Sequence, residues 1–135
     1  MNLALLNIAA SEAVLDILAE EFLSTPTTRH KVGQEYAFGR RVHKESGISV
    51  AISDANTSAQ LIEEVEVFFG SMSPVAENNL PKATGRELSV GFSVGDTEQF
   101  VGSVSFSPEL MAKLAKCGIV LSVTAYPTSD EANAI

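Results

Sequence analysis

Residues 47–53 read GISVAIS, and residues 57–70 read TSAQLIEEVEVFFG. Large apolar and small residues alternate in the first stretch, which predicts a strand with one buried face. In the second stretch, Thr57 and Gln60 form a capping box and Gly70 closes the pattern, which predicts a helix. Its inward side chains are those of Leu61, Ile62, Val65, Phe68 and Phe69. Together the two stretches predict a helix packed on one face of a sheet.

Similar patterns lie on both sides of this unit. Asn2 to Ala10 predicts a first strand, and Ser11 is the expected N-cap of a helix that runs to about Leu23. A last helix begins at Ser107-Pro108-Glu109 and ends at Gly118, because serine, proline and glycine favour those positions. The remaining predicted elements are a short strand within Tyr36–Val42, one short helical turn after Ser73-Pro74, a hairpin of Leu88–Val94 with Gln99–Phe106, and a final strand over Ile119–Tyr126.

This order of elements predicts the α+β class, as a two-layer sandwich with a mostly antiparallel sheet and three helices packed on one face. The chain has 135 residues, which is the size of one domain, so residues 1–127 form a single α+β domain and residues 128–135 a frayed tail. No apolar run approaches the ~20 residues that cross a bilayer. The single cysteine, Cys117, and the absence of basic residues before the N-terminal apolar run predict a cytoplasmic protein.

A set of local motifs resembles a known family. The motifs are Thr25-Pro26-Thr27-Thr28 followed by Gly33, Gly39-Arg40-Arg41, Ser46-Gly47-Ile48-Ser49, Ser107-Pro108-Glu109-Leu110, Leu114-Ala115, Gly118-Ile119 and Tyr126. Across residues 3–127 they are similar to domain-of-unknown-function family 4279. The resemblance implies a small bacterial α+β domain of a kind associated with toxin-immunity loci. It implies no catalytic residues, because the family carries no agreed activity.

Charge is distributed in blocks along a chain of net charge −8. Residues 1–23 carry four acids and no base, and residues 54–77 carry five acids and no base. Between them, residues 24–53 carry five bases and two acids. Nucleic-acid binding usually needs the opposite balance, because lysine and arginine contacts to phosphate supply much of the affinity. The sequence therefore disfavours nucleic acid as a partner.

The acidic blocks coincide with the first two predicted helices. The acids concerned are Glu12, Asp16 and Glu20 on the first helix and Glu63, Glu64 and Glu66 on the second. Neither helix contains a basic residue, so the carboxylates are expected to be uncompensated and, if the helices lie side by side, to form one field. Such a field steers a basic partner toward the surface. The alternative is that the charge only keeps the domain in solution.

The basic block is the second candidate site. Arg29, Lys31, Arg40, Arg41 and Lys44 are its cations. If the segment folds back as a hairpin, four or five of these cations could face one anion such as a phosphate or a carboxylate. The alternative is that they offset the acidic blocks of the same molecule.

The chain lacks the sequence motifs of common catalytic sites. There is no GxGxxG, P-loop or GxSxG motif, and His30 and His43 lie at no spacing typical of a metal site, so no cofactor and no metal are predicted. Cys117 lies at the C-terminal end of its predicted helix, where a thiol is not activated, and it is expected to pack in the core.

The sequence thus favours a non-enzymatic protein that binds a basic partner through the two acidic helices. Its specific form would be an acidic immunity protein or antitoxin that neutralises a basic toxin such as a nuclease. One alternative is a small anion-binding or enzymatic domain that uses residues 29–44. Another is a homo-oligomeric structural domain that associates through an exposed sheet face, with Ser and Gly residues among residues 88–106.

Overall fold

The computed structural model describes residues 2–36, 38–39, 41–94 and 103–127. The strands are β1 (Asn2–Ala9), β2 (Thr27–His30), β3 (Glu35–Tyr36), β4 (Arg41–Val42), β5 (Gly47–Asp54), β6 (Gly85–Val94) and β7 (Val120–Pro127). The helices are α1 (Glu12–Glu21), α2 (Ser58–Gly70), α3 (Pro74–Asn79) and α4 (Pro108–Cys117), with a 3-10 helix over Leu80–Lys82. The expected tail at residues 128–135 lies outside the described residues.

Five strands form one sheet in the order β2-β5-β1-β6-β7, and β3 pairs with β4 separately. All neighbours in the large sheet are antiparallel except β6 and β7, which are parallel. The helix α4 connects β6 to the adjacent β7, as parallel pairing requires. The helix α2 connects β5 to β6, which lie on opposite sides of β1. The predicted α+β class and mostly antiparallel sheet are confirmed.

One hydrophobic core lies between the sheet and the helices. Along β1 the side chains of Ala4, Leu6 and Ile8 are buried in it, and the alternate residues face the other side of the sheet. Every helix contributes to this core: Leu15 and Leu18 from α1, Leu61, Val65 and Phe69 from α2, Ala76 from α3, and Leu110, Leu114 and Cys117 from α4. The helices therefore form a single layer, and no helix in the described part of the chain lies on the opposite face of the sheet.

The helix boundaries follow the predicted caps. Ser11, Thr57, Ser73 and Ser107 each accept a hydrogen bond from the backbone N–H three residues later. Gly118 ends α4 in the left-handed conformation, at φ 67°, where a residue without a Cβ is least strained. The described part contains four helices where the sequence predicted three, because the turn after Ser73-Pro74 continues for six residues as α3. None of these helices has the length and apolar character that crossing a membrane would need.

The predicted hairpin is wrong. Its first strand exists as part of β6, but residues 103–106 are not in a strand, and residues 99–102 lie outside the described residues. The physical reason is that β6 has no free edge, since β1 pairs along one side of it and β7 along the other. Local alternation indicates a strand without identifying its partner.

The predicted alternation of β5 is interrupted near its end. Leu5 of β1 pairs with Ala51 of β5, and the neighbouring Ala4 pairs with Ser53. Ile52 therefore has no partner on β1 and is an extra residue in β5. This bulge turns Ser53 toward the helices, where it is buried and donates a hydrogen bond to Glu64 of α2. The alternation predicts that the side chain of Ser53 points away from the face that carries Ile48. This prediction is wrong, because the extra residue places Ser53 on that same face.

The short strand predicted within Tyr36–Val42 is instead a small hairpin. Glu35 and Tyr36 of β3 pair with Val42 and Arg41 of β4. Phe38 and Gly39 both have positive φ, at 57° and 79°, in the turn between them.

Gly47 provides a test of how closely the sheet is packed. A Cβ on this residue would lie 2.7 Å from the backbone oxygen of Ile8 and 2.8 Å from the ring of His30. Because the oxygen belongs to the central strand and cannot move alone, we expect Gly47→Ala to lower the free energy of unfolding by about 1–3 kcal/mol. Denaturant titration measures this. The control is Gly70→Ala at the end of α2, where a Cβ meets nothing within 4 Å. An equal loss in both variants would contradict the prediction.

Candidate functional site

The acidic side chains of α1 are partly neutralised by the strand beside them. Arg29 of β2 lies on the helix side of the sheet, and its Nη2 is 2.6 Å from Oε2 of Glu12 and 2.8 Å from Oδ1 of Asp16. These two ion pairs raise the pKa of Arg29, with the hydrogen bond to Asp16 as the largest cause. The expectation that the carboxylates of this helix are uncompensated is therefore wrong for Glu12 and Asp16. The base comes from the next element along the chain.

Glu12 is also held by a second group. The pKa of the Glu12 carboxyl is lowered first by a hydrogen bond with the Ser46 side chain and then by Arg29. Ser46 is buried in the turn before β5, and its hydroxyl accepts a hydrogen bond from the Val32 backbone N–H at 2.9 Å. Glu12 thus joins the start of α1 to the edge of the sheet. Glu20, near the C-terminal end of α1, is exposed and has no ion pair in the described part of the chain.

The three predicted acids of α2 have different surroundings. Glu66 accepts hydrogen bonds from the backbone N–H of Ser107 at 3.0 Å and from its hydroxyl at 2.8 Å. It therefore anchors the N-terminus of α4, where a negative charge is stabilising. Glu64 accepts hydrogen bonds from Ser53 and from the Gln60 side chain. Glu63 is exposed, and its side chain makes no hydrogen bond or ion pair with the residues whose positions are described.

A cleft opens beside Glu63, between α2, Ile52 of β5 and Thr25 in the segment after α1. The rings of Phe22, the C-cap of α1, and Phe68 of α2 have centroids 5.4 Å apart. The cleft has a volume of about 490 Å³. It is lined by Thr25, Ile52, Gln60, Glu63, Glu64, Val67, Phe68 and Ser71. Two carboxylates on one wall and the aliphatic and aromatic side chains beside them make the lining both acidic and apolar.

Helix polarity adds to the negative character of this region. Neither α1 nor α2 has a basic residue in its last turn. The partial negative charge of a helix C-terminus is normally offset by such a residue. Because Phe22 and Phe68 bring the two C-terminal ends together, both uncompensated ends lie near the cleft.

A second hollow of about 520 Å³ adjoins the first through Thr25, which lines both. Its lining includes Phe22, Leu23 and Pro26. Leu23 is 79% exposed and Val67, in the first cleft, is 64% exposed. Large apolar side chains thus face solvent on both sides of Thr25.

One residue of the predicted basic site, Arg29, is already paired with acids. Arg29 is turned toward α1, where its charge is taken up by Glu12 and Asp16. Lys31, Arg41 and Lys44 are exposed. Arg40 lies outside the described residues. The sequence predicts four or five cations around one anion, and Arg29 is not available as one of them, since its guanidinium is paired with acids on the helix side of β2. Convergence of the other four stays a prediction.

A stack of three rings lies on the helix-free face of the sheet, in the same segment as the cations. His30 and His43 are stacked with centroids 3.8 Å apart, and Tyr36 stacks on His43 at 4.2 Å. The His30 ring lies against Gly47, whose missing Cβ leaves room for it. Burial, and secondly the charge of His30, lower the pKa of His43. The sequence gave no spacing signal for this contact, because it depends on how β2 and the β3–β4 hairpin fold together.

A row of polar side chains crosses the same face. Ser49 of β5 donates a hydrogen bond to Oδ1 of Asn7 at 2.7 Å, and Nδ2 of Asn7 is 3.4 Å from Oε1 of Glu87 on β6. Ser122 of β7 donates to Oε2 of Glu87 at 3.0 Å. Sequence reasoning missed this row, since only the strand register aligns residues that are 35 to 80 positions apart.

The described residues offer little for covalent or metal chemistry. Cys117 is in the core, as predicted, and burial is the main cause that raises its thiol pKa, which disfavours the reactive thiolate. No three His, Cys, Asp or Glu side chains among the described residues are grouped to hold a metal ion. Comparison with protein-family models, curated proteins and solved structures finds no match to this chain.

Arg29→Gln tests the coupling between β2 and α1. We expect the pKa of Glu12 to rise, because the variant loses a positive charge that stabilises the carboxylate. A lowered pKa stabilises the fold above the pKa of the unfolded chain, and this contribution is lost as the pH falls through the folded value. The stability difference between wild type and Arg29→Gln should therefore shrink as the solution is acidified. NMR titration of the Glu12 carboxyl and denaturation at several pH values measure both effects. The control, Lys82→Gln, removes an equal charge from an exposed position and should leave the Glu12 pKa unchanged.

Glu66 and Glu63 should respond differently to substitution. Glu66→Ala removes two hydrogen bonds at Ser107, and we expect a loss of about 1–2 kcal/mol in the free energy of unfolding. Glu63→Ala should change it by less than about 0.5 kcal/mol, as is usual for exposed side chains. Thermal or urea denaturation distinguishes them, and equal effects would show that the two acids do not have these separate roles.

Proposed function

We propose that the protein is a non-enzymatic binding protein whose basic partner docks at the cleft lined by Glu63, Glu64, Val67 and Phe68. The observation that carries this proposal is the combination of an acidic wall and exposed apolar side chains in one cleft of about 490 Å³. A lysine or arginine side chain matches such a lining, because its aliphatic stem packs on apolar surface while its charged end meets carboxylates.

Charge favours this cleft over the rest of the acidic surface. Glu63 has no ion-pairing partner in the described ranges, whereas Glu12 and Asp16 already form ion pairs with Arg29. The Glu64 carboxylate is held in place by Ser53 and Gln60 without a positive charge to neutralise it. A docking cation would thus replace no existing ion pair at Glu63 or Glu64.

The proposal divides the six predicted acids into groups by what each one contacts. Glu63 and Glu64 are proposed to contact the partner. Glu20 is exposed and contributes to the long-range field that raises the association rate. Glu12, Asp16 and Glu66 stabilise the fold, and we do not assign them to the interface.

Apolar surface provides the part of the binding energy that salt does not screen. Val67 and Leu23 are among the most exposed large apolar residues of the described chain. Interfaces of protein pairs usually bury such side chains at the centre and keep charges at the rim. A partner that covers both sides of Thr25 would bury Leu23 and Val67 together and keep Glu63 at the edge.

An immunity protein or antitoxin that covers a basic toxin, such as a nuclease, is the specific form of this proposal. The support for it is the net charge of −8 and the placement of an acidic cleft with apolar residues on the surface. A basic toxin is a partner of the right charge, and complementary charge gives the fast association that neutralisation of a toxin needs. No cofactor is required.

A defined cationic peptide tests the cleft directly. We expect an immobilised peptide of alternating lysine and leucine to bind the wild-type protein, because it presents both the charge and the apolar surface that the cleft accepts. Glu63→Lys should weaken this binding at least tenfold, and Val67→Ser should weaken it at high salt as well as at low salt, since apolar burial is not screened. Surface plasmon resonance at several salt concentrations measures both.

The matched control is Glu45→Lys, which makes the same change of charge at an exposed residue that does not line the cleft. If Glu45→Lys weakens binding as much as Glu63→Lys, the peptide is held by net charge alone and the proposed cleft is wrong. The specific form is tested by purifying proteins that bind wild type but not Glu63→Lys from the native cell. Recovery of only acidic or neutral proteins would exclude a basic toxin.

A further inference from the structure

The outer edge of β7 differs from the other edge of the sheet. The strand is eight residues long, pairs with β6 on one side, and has no strand on its other side within the described ranges. At the opposite edge, β2 is four residues long, follows Pro26 and carries Arg29. Short length, proline and charge are the usual means of preventing an edge strand from pairing with another chain. The strand β7 has none of these along Val120–Tyr126, since it contains no charged residue and its proline is the last residue.

The exposed side chains of β7 are also unusually apolar. Val120 is 60% exposed, and Val123 and Tyr126 are each 45% exposed. They lie on both faces of the strand. The pairing with β6 places Val120 beside Glu87 and Tyr126 beside Ser93, on the helix-free face, whereas Val123 lies beside Val90 on the helix side. A strand added at this edge would cover apolar side chains above and below the sheet.

We propose that β7 pairs antiparallel with β7 of a second copy of this chain, about a twofold axis perpendicular to the sheet. The two five-stranded sheets then become one sheet of ten strands, with both helix layers on the same side. Directly opposite residues of an antiparallel pair point to the same face. Along β7, even-numbered residues lie on the helix-free face and odd-numbered residues lie on the helix side, so opposite residues must both be even or both be odd. We assign the register in which Val123 lies opposite Val123 of the second copy.

This register makes the strand complementary to itself. On the helix-free face, Val120 lies opposite Tyr126 of the second copy, and Ser122 lies opposite Thr124. These are a β-branched residue with an aromatic ring and a pair of hydroxyls, both of which are favourable cross-strand pairs. On the helix side, Leu121 lies opposite Ala125, and two exposed Val123 side chains meet at the axis. Each of the three exposed apolar residues thus gains an apolar neighbour.

Charge supports a second copy as the occupant. Two chains of net charge −8 repel each other, so they associate most readily through a surface without charge. The strand β7 is an eight-residue surface of this kind. A basic protein partner would find no carboxylate on this strand. This inference does not depend on the proposed function, because the acidic cleft is lined by residues of α2, by Ile52 of β5 and by Thr25, and β5 is separated from β7 by β1 and β6 in the sheet.

The position of Tyr126 is fixed before any association. Its ring lies over Gly91 of β6, where a Cβ would come within 2.7 Å of Cε2. The ring is therefore held on the helix-free face and does not have to be ordered when a second copy binds, which lowers the entropic cost of the contact.

Oligomeric mass tests the proposal. We expect light scattering after size exclusion, at about 100 µM protein, to give twice the 14.3 kDa chain mass. Val123→Lys places two positive charges together at the axis and should raise the dimer dissociation constant at least tenfold. The control is Val75→Lys on α3, which makes the same change at a residue 47% exposed and should remain dimeric. A monomeric wild type, or a Val123→Lys variant that stays as dimeric as Val75→Lys, would overturn the proposal.

Disulfide formation tests the register and does not depend on whether the lysine variant folds. Val123→Cys should cross-link two copies under mild oxidation, because the two thiols face each other across the axis. Val120→Cys should not, since its neighbour in the second copy is Tyr126. The natural Cys117 is buried and should remain reduced in both variants. Equal cross-linking of the two variants, or none at Val123→Cys, would exclude the assigned register.

Discussion

The pairing of β1 on both of its edges is the constraint from which the rest of the structure follows. Its register with β5 runs from Leu3 to Ala9, and its register with β6 runs from Asn2 to Ala9. Because both neighbours are antiparallel to it, β5 and β6 are parallel to each other and can be connected only by a crossover, which α2 provides. The alternate side chains of β1 then select which face of the sheet all four helices cover. The acidic cleft, the polar row and the uncharged edge are placed by this arrangement.

Local features of the fold could be read from the sequence, and non-local ones could not. The caps at Ser11, Thr57 and Ser107 act on backbone groups within three residues, so a pattern is sufficient to identify them. The strand that pairs with β6 could not be predicted in this way, because the alternation of side chains along β6 is the same whichever strand lies beside it. The predicted hairpin failed for this reason, and β7, which follows a helix, took the position that the hairpin would have used.

Charge is the clearest case in which position in the sequence misleads. A count of residues makes α1 an acidic helix without a base, yet Arg29 lies 17 positions from Glu12 and contacts it directly. Glu66 lies 41 positions from the Ser107 hydroxyl that it binds. Of the six acids proposed from the sequence, these contacts assign three to the stability of the fold. Of the three that remain, Glu20 is exposed on α1, and Glu63 and Glu64 are identified as binding residues only when the cleft and its apolar lining are seen.

The central position of β1 also has a consequence for synthesis on the ribosome. The strand precedes both of its neighbours in the chain, and its pairing with β6 needs residues as far along as Phe92. At translation rates of about 5–20 residues per second, the interval between the two is roughly 4 to 17 s. For that period an apolar strand, with Leu6 and Ile8 among its core residues, has no finished sheet to join. Chaperones that shield nascent chains would find a binding segment there.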